Sequence, residues 1–189
     1  MKVRTLLHRD ALRYGSGSTT VRGLIMTALR RRGFRVMVFY RYSRSAHLAG
    51  RAAAAKVLQR IGYRLTQCEI NTRAEIGPGL LLPHPAGVVI GAGVVIGANC
   101  TIQQHVTLGG NYGKVIAGRD RPTIGDDVAI SCGAVVAGPV TVGDRTIIGA
   151  NVVITRDVPA GSKLAASAPV WLSGSPSSNG SMVTTAGST

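Results

Sequence analysis

His84 and His105 are the only imidazoles in residues 66–189. An imidazole can serve as proton acceptor, metal ligand or plain loop residue. A three-histidine zinc centre needs one more such ligand than this segment offers, which disfavours a metal-dependent hydratase. Cys68, Cys100 and Cys132 are odd in number and lack CxxC spacing, so they form neither a disulfide framework nor a zinc knuckle. Cys100 and Cys132 read as small apolar fillers, and the set fits a reducing compartment. His84 lies in PHPAGVV (83–89), and Asp120 and Arg121 lie in GGNYGKVIAGRDRPT (109–123). These two segments are where a regular pattern breaks, and outward loops of that kind often carry binding residues.

The pattern they interrupt is a six-residue period. Ile70, Ile76 and Leu82 are followed, after a slip, by Ile90, Ile96, Ile102 and Leu108. After the longer insertion come Ile124, Ile130, Val136, Val142, Ile148 and Ile154. Glycine often follows the marker, and Val94, Val106, Val128, Val140, Val152 and Val158 stand four residues after one. Neither a helix nor simple alternation gives this period. A parallel β-helix with three six-residue sides per coil does, its aliphatic markers pointing into a narrow prism. Aromatics at only 4% suit such a narrow bore. The small residue after each marker is expected to let the chain turn the corner.

The material ahead of the repeats is different. Residues 18–65 contain no proline and space their apolar residues as helices do, with Thr19 or Thr20 placed to cap the start. Two or three short helices are expected, broken near Gly33 or near Ala49–Gly50, with Arg30–Arg32, Arg35, Arg41 and Arg44 on a basic outer surface. Residues 1–65 carry 15 Lys/Arg against one acid, Asp10, whereas residues 66–189 are balanced, so the net charge of +14 belongs to the arm. Such an arm suits a peripheral contact with an anionic membrane surface, an acidic substrate or cofactor, or simply a solvated face. No nucleic-acid motif or interleaved aromatic stripe accompanies it, so a nucleic-acid partner is not expected. No secretory signal is evident, and prolines and glycines interrupt the apolar stretch Leu80–Cys100. The chain therefore reads as soluble and cytoplasmic. The expected domains are a basic helical arm (1–65), a β-helix (66–171) and a flexible Ser/Gly/Thr tail (172–189).

GPGLLLPHPAGVVIGAGVVIGANCTIQQHVTLGG, followed by RPTIGDDVAISCGAVVAGPVTVGDRTIIGANVVITRDVPAGS, resembles the bacterial serine acetyltransferases and their close hexapeptide relatives. Those relatives include acetyltransferases of exopolysaccharide clusters such as the colanic acid enzymes. The resemblance covers roughly residues 60–170, and the His84 loop with QxVTLGG is its most specific part. It implies a mainly β fold, a left-handed parallel β-helix with an N-terminal α-helical arm. It also implies an acetyl-CoA-dependent O-acetyltransferase, without a metal, that forms a homotrimer and binds CoA between adjacent prisms. By matching position, His84 is implied as the general base and Glu69, fifteen residues earlier, as the carboxylate that orients it. Backbone N–H groups near Gly109–Gly110 are implied as oxyanion donors. Gly110, Gly133 and Ala150 are implied beside the pantetheine arm, with Lys163 or Arg156 on a phosphate. Asp120 and Arg121 match positions that bind the acceptor, and His105, where the family usually has a small residue, is expected either to line the acceptor pocket or to cover the trimer interface.

Three departures from the serine enzymes concern the acceptor and the end of the CoA site. Pro83 stands where they have Asp before the histidine, Asp120–Arg121 where they have Arg-His, and SAPVW (Ser167–Trp171) where they end in GVPA. The resemblance puts L-serine first as acceptor, which places the chain in cysteine biosynthesis. A sugar hydroxyl on a polysaccharide precursor and a specialised metabolite follow. A non-catalytic, membrane-associated scaffold is the remaining alternative.

Overall fold

The computed structural model describes residues 2–17, 20–111, 113 and 115–167; the tail expected at 172–189, Thr19 and most of the SAPVW segment lie outside them. Four helices come first: α1 (Val3–Arg13), α2 (Val21–Arg30), α3 (Arg32–Leu48) and α4 (Ala52–Thr66). Thr20 caps α2 by accepting from the Gly23 N–H at 3.1 Å. The chain breaks at Arg31, which is extended, and again at Ala49–Arg51. The first break thus falls two residues before the expected one. Gly33 lies inside α3, where a Cβ would strike the Leu82 carbonyl, so this glycine serves a close approach rather than a turn. Helix α1 was not foreseen; Leu7 and Ala11 bury against Leu24 and Phe34.

From Glu69 onward the chain winds through parallel coils. One face stacks Glu69–Ile70, Val89–Ile90, Thr107–Gly109, Val135–Ala137 and Val153–Ile154. The second stacks Glu75–Ile76, Val95–Ile96, Thr123–Ile124 and Thr141–Val142, and the third Thr101–Ile102, Ala129–Ile130, Ile147–Ile148 and Lys163–Leu164. Markers pair with markers, as in Ile70↔Ile90↔Leu108↔Val136↔Ile154. All thirteen are buried, together with the six valines four residues after a marker. They form one apolar column, which is the bulk of the core.

The corner mechanism differs from the sequence expectation. Left-handed φ falls three residues after the marker, at Gly79, Gly93, Asn99, His105, Asp127, Gly133, Arg145 and Asn151. At Gly77, Gly97, Gly125, Gly143 and Gly149 the residue directly after the marker is small because the next coil stacks on it. A Cβ on Gly77 would lie 2.6 Å from the Gly97 carbonyl carbon.

The first coil has no earlier coil to satisfy its outward backbone groups, and the arm supplies their partners. Tyr40 Oη donates to the Ala74 carbonyl (2.9 Å) and accepts from the Ile76 N–H (3.2 Å). Tyr14 Oη accepts from the Leu82 N–H at 2.8 Å. Arg41 donates to the Ile76 and Gly77 carbonyls, both at 2.6 Å, while Asp10 accepts from the Gly79 N–H at 2.7 Å. Asp10 and Arg41 also join in a two-point ion pair (2.9 and 3.0 Å), with side chains only 0% and 3% exposed. Arg41 is therefore a correction to the expected outer surface. Among the described residues no helix is long and apolar enough to cross a membrane.

Candidate active site

One edge of the prism, between its third and first faces, is a ladder of short corner segments. The Gly87 N–H donates to the Gln67 carbonyl (2.8 Å), and the His105 N–H to the Ala86 carbonyl (3.1 Å). The Gly133 N–H donates to the Gln104 carbonyl and the Asn151 N–H to the Cys132 carbonyl, each at 3.0 Å. This edge therefore aligns the His84 loop, His105, Gly133 and Ala150. The His84 loop bulges because Pro83 and Pro85 cannot donate to a ladder, and the Val88 N–H closes it on the Pro85 carbonyl at 3.2 Å. The loop fits over His105 because residue 87 is glycine: φ is +71°, and a Cβ there would run into the His105 imidazole. His84 itself is exposed.

Glu69 begins the strand directly beneath this loop, its N–H donating to the Val88 carbonyl at 2.9 Å. Its side chain is exposed, and no hydrogen bond joins it to His84. Catalytic hydrogen bonds often tighten only with substrate present. The Glu69 side chain shares an open groove of about 640 Å³ with Lys56, Gln59, Arg60, Tyr63 and Arg64 of α4. The sequence reading did not single out this row of cations. Their spacing (56, 60, 64) was the available signal, since residues four apart share a helix face.

The other candidate residues stand elsewhere. Gly110, Asp120 and Arg121 gather at the edge between the first and second faces, where the long insertion leaves the coil. Arg121 pairs with Asp120 (Nη1 to Oδ2, 2.8 Å), and its Nε donates to the Ala92 carbonyl at 3.1 Å. Its guanidinium lies where a Cβ on Gly110 would be. The Gly110 N–H has no acceptor among the described residues. Lys163 is exposed on the third face in the last coil. Within one chain, then, His84, His105, Gly133 and Ala150 lie together, and Gly110, Asp120 and Arg121 lie across the first face from them.

Cys68 and Cys100 carry no nucleophile. Burial pushes the Cys68 thiol up to about 12 and, as the main cause, Cys100 up to about 11; both remain protonated at neutral pH. Cys132 is half-buried, and its N–H donates to Gln103 Oε1 at 3.2 Å. Among the described residues no cluster of three or more His, Cys, Asp or Glu is placed to hold a metal.

Known proteins share this fold. Residues 121–156 match the family described as bacterial transferase hexapeptide (six repeats). The serine acetyltransferase of Helicobacter pylori is 39% identical over 130 residues, 69% of this chain and 75% of its own length. That of Mycobacterium tuberculosis is 41% identical over 118 residues, 62% of this chain and 48% of its own. Among solved structures, Entamoeba histolytica serine acetyltransferase isoform 3 in complex with cysteine has a TM-score of 0.78 at 30% identity. It covers 92% of this chain, which spans 62% of it. The Neisseria gonorrhoeae serine acetyltransferase in complex with serine has a TM-score of 0.75 at 27% identity, over 87% of this chain and 66% of its own. This chain thus spans less than two thirds of both crystallised chains. With its left-handed parallel β-helix, its helical arm and this level of identity, the chain belongs to the serine acetyltransferase family of hexapeptide-repeat acyltransferases.

Proposed function

We propose that the chain is an acetyl-CoA-dependent serine O-acetyltransferase in which His84 is the general base. The observation that carries this reading is the edge ladder, which sets the His84 loop directly over the Glu69 strand and beside His105. His84 takes the proton from the acceptor hydroxyl, whose oxygen attacks the thioester carbonyl carbon. The C–S bond then breaks, and the proton leaves with the CoA thiol. Glu69 favours the imidazolium form of His84 during transfer. The same edge suits the pantetheine arm, because Gly133 and Ala150 place no bulky side chain there; Lys163 is the cation for a phosphate. Thiol release from acetyl-CoA by purified protein, with and without L-serine, tests the reading. CoA binding without serine-dependent release would move the acceptor to a sugar or metabolite hydroxyl, and no CoA binding would end the proposal.

A homotrimer is the second part of this proposal, and the split between the two edges supports it. Stacking three prisms sets the His84 edge of one copy against the Arg121 edge of the next, where the free Gly110 N–H becomes an oxyanion donor. Co-assembled His84→Ala and Gly110→Pro chains, the second lacking the oxyanion N–H, should then recover activity that neither has alone, since random mixing restores about one quarter of the sites. A mixture no more active than its parents would place each site within one chain.

A further inference from the structure

Helix α4 presents Lys56, Arg60 and Arg64 on one exposed face, at i, i+4 and i+8. Like charges at this spacing destabilise a helix, and α4 contains no acid to offset them. Among the described residues none accepts a hydrogen bond from any of the three side chains. All three line the groove that holds Glu69, its only acid among the described residues, with Gln59 and Tyr63 as added donors. A row of three cations that meets no side-chain acceptor and shares its groove with one acid carries the charge to attract a negatively charged group.

We propose that this groove is the anion subsite of the acceptor: Lys56, Arg60 and Arg64 hold a carboxylate or phosphate of the molecule whose hydroxyl is acetylated. The inference rests on the acetyltransferase reading above and deepens it, because it assigns acceptor selection to the helical arm. Arg121, the cation at the end of the long insertion, is tied to Asp120 and offers no free charge there. For L-serine the bound group is its own carboxylate; for a phosphorylated sugar or polyol it is the phosphate.

The test compares acceptors with and without the anion. L-serine is set against serinol, which lacks the carboxylate, and glycerol 3-phosphate against glycerol. Lys56→Gln/Arg60→Gln/Arg64→Gln should lower kcat/KM for the anionic member of the productive pair at least ~10-fold, the worth of a lost charge-assisted contact. The neutral member and the KM for acetyl-CoA should stay unchanged. Arg9→Gln/Arg22→Gln is the control for general charge loss, since both residues are exposed on α1 and α2 and line neither this groove nor the one beside Pro83. Equal losses for charged and neutral acceptors, a rise confined to the KM for acetyl-CoA, or the same loss in the control would each overturn the assignment.

Binding supplies a readout that needs no turnover. Inorganic phosphate titrated into the full chain at low salt should shift the backbone amides of residues 56–64 and 69, and the α4 triple variant should lose those shifts. If no acceptor is acetylated while phosphate still shifts these amides, the activity reading fails and the anion site stands. Absence of shifts in the wild-type chain overturns the site itself.

Discussion

His84→Ala should lower turnover by ~10²–10⁴-fold, the usual contribution of a positioned general base, and leave CoA affinity nearly intact. The split arises because His84 is exposed on a loop held by backbone bonds alone, from Gly87 to Gln67, Val88 to Pro85 and His105 to Ala86. Truncating the imidazole removes no buried contact and leaves the Gly133–Ala150 stretch of the edge untouched. On the proposed mechanism Glu69→Gln should cost less, since there Glu69 acts through His84 rather than on the reacting atoms. Rapid-mixing measurement of thiol release, with CoA titration in parallel, separates the two effects. Unchanged turnover in the alanine variant would remove His84 from the mechanism.

Arg41→Ala should lower stability by about 3–5 kcal/mol, because it strands the buried Asp10 carboxylate without its partner. It also frees the Ile76 and Gly77 carbonyls from their 2.6 Å donors. Asp10→Ala should act alike, leaving Arg41 unpaired and the Gly79 N–H without its acceptor. For a chain of this size each change corresponds to a Tm lower by roughly 6–20 °C. Asp10→Leu/Arg41→Met removes both charges and should recover part of the loss. Recovery stays incomplete because three first-coil backbone groups still lack partners, each an unmet hydrogen bond of about 1–3 kcal/mol. Thermal unfolding of the two single variants and the double checks this. Single variants within about 1 kcal/mol of wild type would show that the clamp does not hold the arm to the prism.

These two results concern different parts of the chain, and the parts differed in how much could be read without a structure. The hexad markers were legible one by one, since every position from Ile70 to Ile154 named in the series is buried. A period of six leaves no other way to hide so many aliphatic side chains. The two interruptions were legible for the same reason: a broken register must leave the coil. Asp10 was visible as the single acid of a basic arm, yet nothing local shows that it meets Arg41, 31 residues on, and Gly79, 69 residues on. Arg41 looked like one more surface cation because helical spacing gives a face but not what packs on it. The glycines after the markers were counted correctly and explained wrongly, since coil-to-coil distance is not a local property.

The sequence alone therefore determined the β-helix, its helical preface, the family chemistry and the loop that carries His84, because these depend on periodicity and on short motifs. Only the tertiary structure decided that His84, His105, Gly133 and Ala150 share an edge, that Gly110 and Arg121 occupy another, and that Lys56, Arg60 and Arg64 face Glu69. Those relations depend on how many residues each side of a coil consumes and on how the arm docks. They are sums over the whole chain that no single segment encodes.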